Sequence, residues 1–130
     1  EDGTLLSNKS KNILDRWVLM RLEEVLQDST EGYENYNLPA ATRPIFDFID
    51  DLSVWYLRRS RDRLKEEGEG KKAALGTLRY VLESFARILA PSMPFFADSL
   101  FRQVRKDSDK ESVHLETWPI ANKKLLNEEI

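Results

Sequence analysis

The chain has 130 residues, no cysteine, a single histidine and a net charge of −3 at neutral pH. This length suits one domain with a core of its own. The lack of cysteine excludes disulfides, thiol chemistry and cysteine-ligated metals, and His114 alone cannot make a multi-histidine metal site. The negative balance excludes a globally basic nucleic-acid binder, so any polyanion site must come from locally clustered arginines.

The sequence predicts a cytoplasmic domain without a membrane contact. No run approaches the roughly 18 apolar residues of a membrane span. The polar start, EDGTLLSNKSKN, lacks the apolar centre of a signal peptide. Residues 1–11 are expected to form a lead-in to the folded part of the chain.

The first two predicted helices are marked by their caps. Apolar residues at three- to four-residue spacing predict a helix that begins at Asn12, a good cap, and ends near Thr30 or Tyr33. Asn37 is expected to cap the second helix, with a proline in its first turn. Pro44 lies beyond the first turn of that helix, where a proline disturbs the backbone hydrogen bonds. It should therefore either delay the regular part of the helix or kink its start.

Two more helices and an extended segment follow. An acidic loop at 66–70 separates the second helix from a third, which must stop at Pro91. Ser92 is then positioned to cap a fourth helix. Ser112–Glu116 alternates like a short strand or extended segment, and residues 120–130 are expected to be a truncated tail or the start of another helix. The predicted fold class is therefore all-α: a bundle of four to five helices over residues 12–119, with a short extended C-terminal segment.

The stretch Asp47–Leu64, DFIDDLSVWYLRRSRDRL, is predicted to be a helix that begins apolar and ends in arginines. At 100° per residue Arg59 and Arg63 continue the apolar stripe, so they should lie along the core edge and pair with acids. Arg58, Arg61 and Lys65 fall on the opposite face, as freer cations. Six residues of this stretch are candidates for contact with RNA: Trp55, Arg58, Arg59, Arg61, Arg63 and Lys65.

The sequence offers little for catalysis. It contains neither a glycine-rich phosphate loop nor an HExxH metal motif. Asp50 and Asp51 are adjacent and so face different ways on a helix, which favours an ion-paired or solvated role over general acid chemistry. His114 is expected to point to solvent, and Trp17 and Trp118 are expected to pack. We therefore predict no catalytic residue, metal site or cofactor site in this chain.

Two classes of function fit the arginine-rich stretch. Guanidinium groups can clamp phosphates while bases stack on exposed rings, which favours RNA binding. The alternative is a helical protein-interaction or structural module whose arginines make salt bridges within the chain. The orientation of the Arg58 and Arg61 side chains distinguishes the two functions. If both side chains were buried against acids of the same chain, the main reason to predict RNA binding would be lost.

Four stretches resemble the anticodon-binding helical domain of class I aminoacyl-tRNA synthetases: LDRWVLMRL (14–22), DFIDDLSVWYLRRSRDRL (47–64), LAPSMPFFAD (89–98) and SVHLETWP (112–119). Their order and spacing match from about Leu14 to Pro119. The combination of WYLRRSR (55–61) with SVHLETWP resembles the isoleucyl branch most. The valyl and leucyl branches share the fold, so the same domain from a valyl or leucyl enzyme is a further alternative. One departure is that Leu64 and Lys65 stand where the family often has an aromatic pair, so no stacking is expected there.

The resemblance implies a partner and a parent enzyme. The partner is the anticodon stem and loop of a tRNA, and the catalytic domain of the same enzyme is the neighbour. The parent would attach isoleucine to its tRNA using ATP, with a zinc module where the parent has one. The HIGH and KMSKS signatures of that chemistry are absent here, so this chain is not expected to catalyse the reaction by itself.

Overall fold

Helices dominate the part of the chain that the structure, a computed structural model, describes: residues 12–120. In chain order they are α1 (Ile13–Glu34), α2 (Leu38–Asp50), a π-helix (Asp51–Leu57), α3 (Arg61–Lys65), α4 (Glu69–Leu89), α5 (Pro94–Val104) and a 3-10 turn (Val113–Leu115). No β-strand occurs within this range, which confirms the all-α prediction. The predicted lead-in, 1–11, and all of the predicted tail after Ile120 lie outside the described residues.

The bundle runs up and down. We call residues 38–65, which comprise α2, the π-helix and α3, the arginine arm. Contacts move backwards along α1 as they move forwards along the arm, so the two are antiparallel. Three side-chain contacts show this direction: Ser29 with Ala41, Arg21 with Asp51, and Asp15 with Arg63.

The other two long helices continue the alternation. Phe48 of the arm packs on Phe85 of α4, with ring centroids 5.1 Å apart, and the hydroxyl of Tyr56 lies 3.5 Å from the carbonyl oxygen of Ala74. The arm and α4 are therefore antiparallel. A short connection at 90–93 then turns the chain into α5, which packs along α4. The predicted bundle of four to five helices is confirmed.

The predicted helix starts are largely correct. The side chain of Asn12 accepts a hydrogen bond of 2.9 Å from the backbone N–H of Leu14, and Asn37 caps α2 in the same way. The predicted delay at Pro44 is wrong, since α2 begins at Leu38 and runs through Pro44. A proline deprives the carbonyl four residues earlier of its donor. That carbonyl belongs to Ala40, which is exposed, so water can replace the missing donor.

The core is apolar and lies where α1, the arm, α4 and α5 meet. Its largest fully buried side chains include Tyr56, Phe48 and Phe101. α1 and α2 cross very closely at Gly32, where an added Cβ would lie 2.4 Å from the backbone nitrogen of Ala41. Only glycine fits there. Several large apolar side chains of the helices stay exposed, among them Ile49, Leu75 and Phe96.

The C-terminal segment is held by α5 rather than by another strand. Asp98 accepts hydrogen bonds from the Ser112 hydroxyl (2.6 Å) and from the Val113 N–H (3.0 Å). Ser112 and Glu116 are extended, and the three residues between them form the 3-10 turn. The prediction for Ser92 is wrong. Its hydroxyl donates to the carbonyl oxygen of Leu89 at the end of α4, and residue 93 occupies the cap position of α5.

Candidate nucleic-acid interface

The arginine arm is not the single helix that its sequence predicts. Its backbone changes from α to π at Asp51 and returns to a short α-helix only after a turn at Ser60, which is fully buried. A π-helix has more residues per turn than an α-helix and occurs often at functional sites. The changed register means that a wheel drawn at 100° per residue cannot place all the arginines correctly.

Three cations of the arm line one exposed groove. Arg58, Arg61 and Lys65 surround a groove of about 610 Å³. Its remaining lining is Ser53 and three apolar side chains, Val54, Leu57 and Leu64. The three cations are exposed, and none forms an ion pair with any acid between residues 12 and 120. We call this the cationic groove. The cationic groove brings together the three residues that the helical periodicity of 100° per residue placed on the face opposite the apolar stripe.

Arg63 has a different environment. Its two terminal nitrogens donate to the two carboxylate oxygens of Asp15, at 3.0 and 2.9 Å, and the Tyr56 hydroxyl donates to the same carboxylate at 2.7 Å. Asp15 is fully buried. Hydrogen bonding to Asp15 raises the pKa of Arg63 and outweighs the burial that lowers it. Arg63 therefore joins the arm to α1, as the core-edge prediction expected, and its charge is already matched within the chain.

The pKa of Tyr56 follows from the same cluster. Burial raises the pKa of Tyr56 well above its ordinary range, and the neighbouring Asp15 carboxylate adds to the increase. The phenol therefore stays protonated and keeps donating to Asp15. With Arg63 and Tyr56 both bound to one carboxylate, the start of α1 holds the end of the arm, which carries the cationic groove.

Arg59 differs from its prediction. It is exposed, and its guanidinium carbon lies 4.7 Å from the ring centroid of Trp55, within cation–π range. No acid within residues 12–120 pairs with it. Together with Ile13, Leu14 and Trp17, these two residues line a second groove of about 300 Å³, which we call the aromatic groove. Arg59 is therefore a surface cation held by a ring.

The remaining candidates behave as ordinary structural residues. Asp51 accepts a hydrogen bond of 2.8 Å from Arg21, which links the π-helix to α1. The pKa of Arg21 is raised because hydrogen bonds and charge attraction from two carboxylates more than offset its desolvation. Trp118 packs, with its indole N–H donating to Thr30 at 2.9 Å, and His114 is exposed on the 3-10 turn. Across residues 12–120 no three His, Asp or Glu side chains converge as metal ligands.

Sequence reasoning missed the role of Asp15. Asp15 lies three residues before Val18 and seven before Leu22, on the buried stripe of α1. A carboxylate on an apolar stripe needs a charged partner, because an unpaired buried charge is very costly. The position of Asp15 on the apolar stripe was the sequence signal that it needs a charged partner.

Within residues 12–120 no helix is both long and apolar enough to cross a membrane.

The fold and the matched sequence define a class of protein. The family model for the anticodon-binding domain of tRNA ligases matches residues 15–130, and the chain belongs to this family. Its sequence is similar to a region of isoleucine–tRNA ligases. The enzyme of Chlamydia muridarum is 43% identical over 108 residues, and that of Chlamydia trachomatis serovar L2 is 42% identical over the same length. The Treponema denticola enzyme is 40% identical over 124 residues.

These matches cover most of this chain and little of the relatives. The chlamydial alignments cover 82% of this chain and 10% of each relative, and the Treponema denticola alignment covers 94% and 11%. The chain thus spans about a tenth of the length of the curated relatives it matches. The resemblance to the anticodon-binding domain of isoleucyl enzymes, read from the arginine run and SVHLETWP, is confirmed.

Proposed function

We propose that this chain binds the anticodon arm of an isoleucine tRNA and that the cationic groove contacts its phosphates. The observation that carries the proposal is the trio of Arg58, Arg61 and Lys65, which are exposed and unmatched by acids within the described residues. Guanidinium groups bind phosphate oxygens in a bidentate geometry. An overall charge of −3 makes such local clustering necessary for affinity to RNA.

The proposal extends to the parent enzyme. There this domain would hold the tRNA while the catalytic domain of the same polypeptide attaches isoleucine with ATP, in the cytoplasm. The support is the similarity to isoleucine–tRNA ligases over most of the chain. Where such a parent has a zinc module, that module belongs to the same proposal.

The alternative, a structural module whose arginines serve internal salt bridges, accounts for part of the arm. Arg63 fits it, because its guanidinium is bound to Asp15. Arg58 and Arg61 do not fit it, because both are exposed and line an open groove. RNA binding accounts for the cations that the alternative leaves unexplained.

The test is the salt dependence of tRNA binding by the chain. Each phosphate contact steepens the fall of log K with log salt by about 0.7 for single strands and 0.9 for duplex. Arg58→Ala and Arg61→Ala should each weaken binding and make the slope shallower by about that amount. Arg43→Ala is the matched control, since Arg43 is an exposed arginine of α2 and does not line the cationic groove.

The outcomes separate the possibilities. Equal slopes for the wild type, Arg58→Ala and Arg61→Ala would remove the cationic groove from the interface. Equal losses in these variants and in Arg43→Ala would indicate a diffuse electrostatic attraction rather than a site. Competition between isoleucine tRNA and valine tRNA then tests the amino-acid assignment, which requires the isoleucine tRNA to compete better.

A further inference from the structure

Two of the three cations of the cationic groove belong to a very short helix. Arg61 and Lys65 are the first and last residues of α3, which has only five residues. A helix this short is not stable in water without tertiary contacts, because forming the first turn is unfavourable. None of the five residues of α3 is buried. Burial of its own side chains therefore contributes little to holding α3 in place.

The side chain that attaches α3 to the rest of the domain is Arg63. Its guanidinium binds both carboxylate oxygens of Asp15, and one of its nitrogens lies 3.5 Å from the carbonyl oxygen of Gly70 at the start of α4. No other side chain of α3 makes a hydrogen bond or an ion pair with a residue between 12 and 120. Asp15 is fully buried and also bound by Tyr56, so its position is fixed. The position of α3 therefore depends on Asp15.

The direction of Arg63 also sets the direction of the two cations. Successive residues of an α-helix are about 100° apart, so Arg61 and Lys65, two positions to either side of Arg63, each point about 160° away from it. Because Arg63 points to Asp15 of α1, both cations are turned to the opposite side of α3. There they are exposed and line the cationic groove.

We propose that Asp15 is a positioning residue for RNA binding: by holding Arg63 it keeps Arg61 and Lys65 directed at the phosphates. This inference rests on the proposed function. It means that an acidic side chain raises the affinity of the domain for a polyanion. Without the ion pair, α3 would occupy its binding-competent position only part of the time, and the affinity falls by that fraction.

The sign of the effect distinguishes positioning from simple electrostatics. Asp15→Asn removes a negative charge from a protein that binds a polyanion, which by charge alone should strengthen binding. Positioning predicts the opposite. The affinity of Asp15→Asn for isoleucine tRNA should fall by about tenfold, a factor within the worth of hydrogen bonds to a charged group.

Arg63→Lys is the second variant, and it decides the question if Asp15→Asn does not fold. It keeps every charge but replaces the bidentate guanidinium by a single ammonium, which cannot reproduce the same geometry. Charge alone predicts an unchanged affinity for tRNA, whereas positioning predicts a lower one. The matched control for lost stability is Gly32→Ala, which strains the other end of the arm and changes no charge. At a temperature where all variants are folded, its affinity should equal that of the wild type.

Hydrogen exchange measures the attachment of α3 in the absence of RNA. The backbone N–H of Leu64 donates to the carbonyl oxygen of Ser60 at 3.0 Å, and that of Glu66 donates to Asp62 at 3.1 Å. In Asp15→Asn both amides should exchange about tenfold faster than in the wild type, because α3 opens locally more often. The amides of the buried α4 residues Val81 and Phe85 are the internal reference for global unfolding.

The outcomes separate this inference from the proposed function. Equal salt slopes for the wild type and Arg58→Ala would overturn the proposed function. If those slopes differ but Asp15→Asn and Arg63→Lys bind tRNA as tightly as the wild type or more tightly, the proposed function stands and positioning by Asp15 is overturned. An equal loss of affinity in Gly32→Ala, or unchanged exchange at Leu64 and Glu66 in Asp15→Asn, would overturn it as well.

Discussion

Arg63 and Asp15 form a bidentate ion pair across 48 positions of the chain, with both carboxylate oxygens bound at 3.0 Å or less. Asp15 has no exposed surface, whereas the Arg63 side chain retains 19% of its own. The pair is therefore asymmetric. The acid depends on the arginine for its charge balance, and the arginine still has partial access to water.

The first prediction follows from this asymmetry. Arg63→Met leaves the Asp15 charge buried and should lower the free energy of unfolding by about 3–5 kcal/mol. Asp15→Asn keeps an oxygen for the Tyr56 hydroxyl and lets Arg63 turn towards solvent, so it should cost only about 1–3 kcal/mol. Urea unfolding of both variants measures the difference.

The double variant is the control for this pair. Once Asp15 is neutral, Arg63→Met no longer strands a buried charge. Asp15→Asn with Arg63→Met should therefore be more stable than Arg63→Met alone. Equal losses for the two single variants, or a double variant whose loss is the sum of both, would contradict the assigned asymmetry.

The second prediction concerns the crossing of α1 and α2. Gly32→Ala places a Cβ at 2.4 Å from the Ala41 nitrogen and 2.6 Å from its Cα, both of which are backbone atoms. The two helices must separate, which should destabilise the domain by about 1–3 kcal/mol. Thermal unfolding measures this change.

Gly70→Ala is the matched control for Gly32. A Cβ at Gly70, in the first turn of α4, meets nothing within 4 Å. Replacing a helical glycine with alanine where space allows should stabilise by about 0.4–1 kcal/mol. A loss of stability in both variants would mean that the close crossing is not the reason for glycine at position 32.

The third prediction concerns pH. Hydrogen bonding from Ser112, with further contributions from Val113 and Arg102, lowers the pKa of Asp98. A carboxyl group whose folded pKa is depressed contributes stability above its unfolded pKa of about 3.9, and this contribution is lost as the pH falls through the folded value. Asp98→Asn should therefore be less stable than the wild type at pH 7, and the difference should shrink below pH 4.

Unfolding of the wild type and Asp98→Asn across this pH range checks the third prediction. Subtracting one curve from the other removes the titration of the other carboxyl groups, which both proteins share. A difference that stays constant from pH 7 to pH 3 would show that the charge on Asp98 does not hold the C-terminal segment.

The helices and their order could be predicted because their signals are local. Asn12 and Asn37 mark the starts of helices because their side chains accept hydrogen bonds from backbone N–H groups in the first turn. The spacing of apolar residues that predicts a helix can be seen within a short stretch of sequence. The same spacing predicted that Arg63 would lie at the core edge and that Arg58 and Arg61 would face away. These predictions needed no knowledge of what packs on the arm.

The remaining features depend on contacts between distant residues. The partner of Asp15 lies 48 positions away, and the contact that requires glycine at position 32 is made by Ala41. The π-helix alters the register of the arm, so a wheel of fixed period placed Arg59 at the core edge although it lies on Trp55. Spacing alone cannot report a change of helix type, because the change depends on how the arm packs.

The last prediction separates base contacts from phosphate contacts at the arm. Trp55 is 48% exposed, and its ring lines the aromatic groove with Arg59 beside it. If an unpaired base stacks on Trp55, Trp55→Leu should weaken tRNA binding by about 1–3 kcal/mol. The slope of log K against log salt should stay unchanged, because no charge is lost. Arg58→Ala should change that slope, so the two variants differ in how their tRNA affinity depends on salt.

Trp118→Phe, which alters a tryptophan packed on α1, is the control and should leave both affinity and slope unchanged. A shallower slope in Trp55→Leu would show that the ring acts only by positioning Arg59, and unchanged affinity would remove Trp55 from the RNA surface.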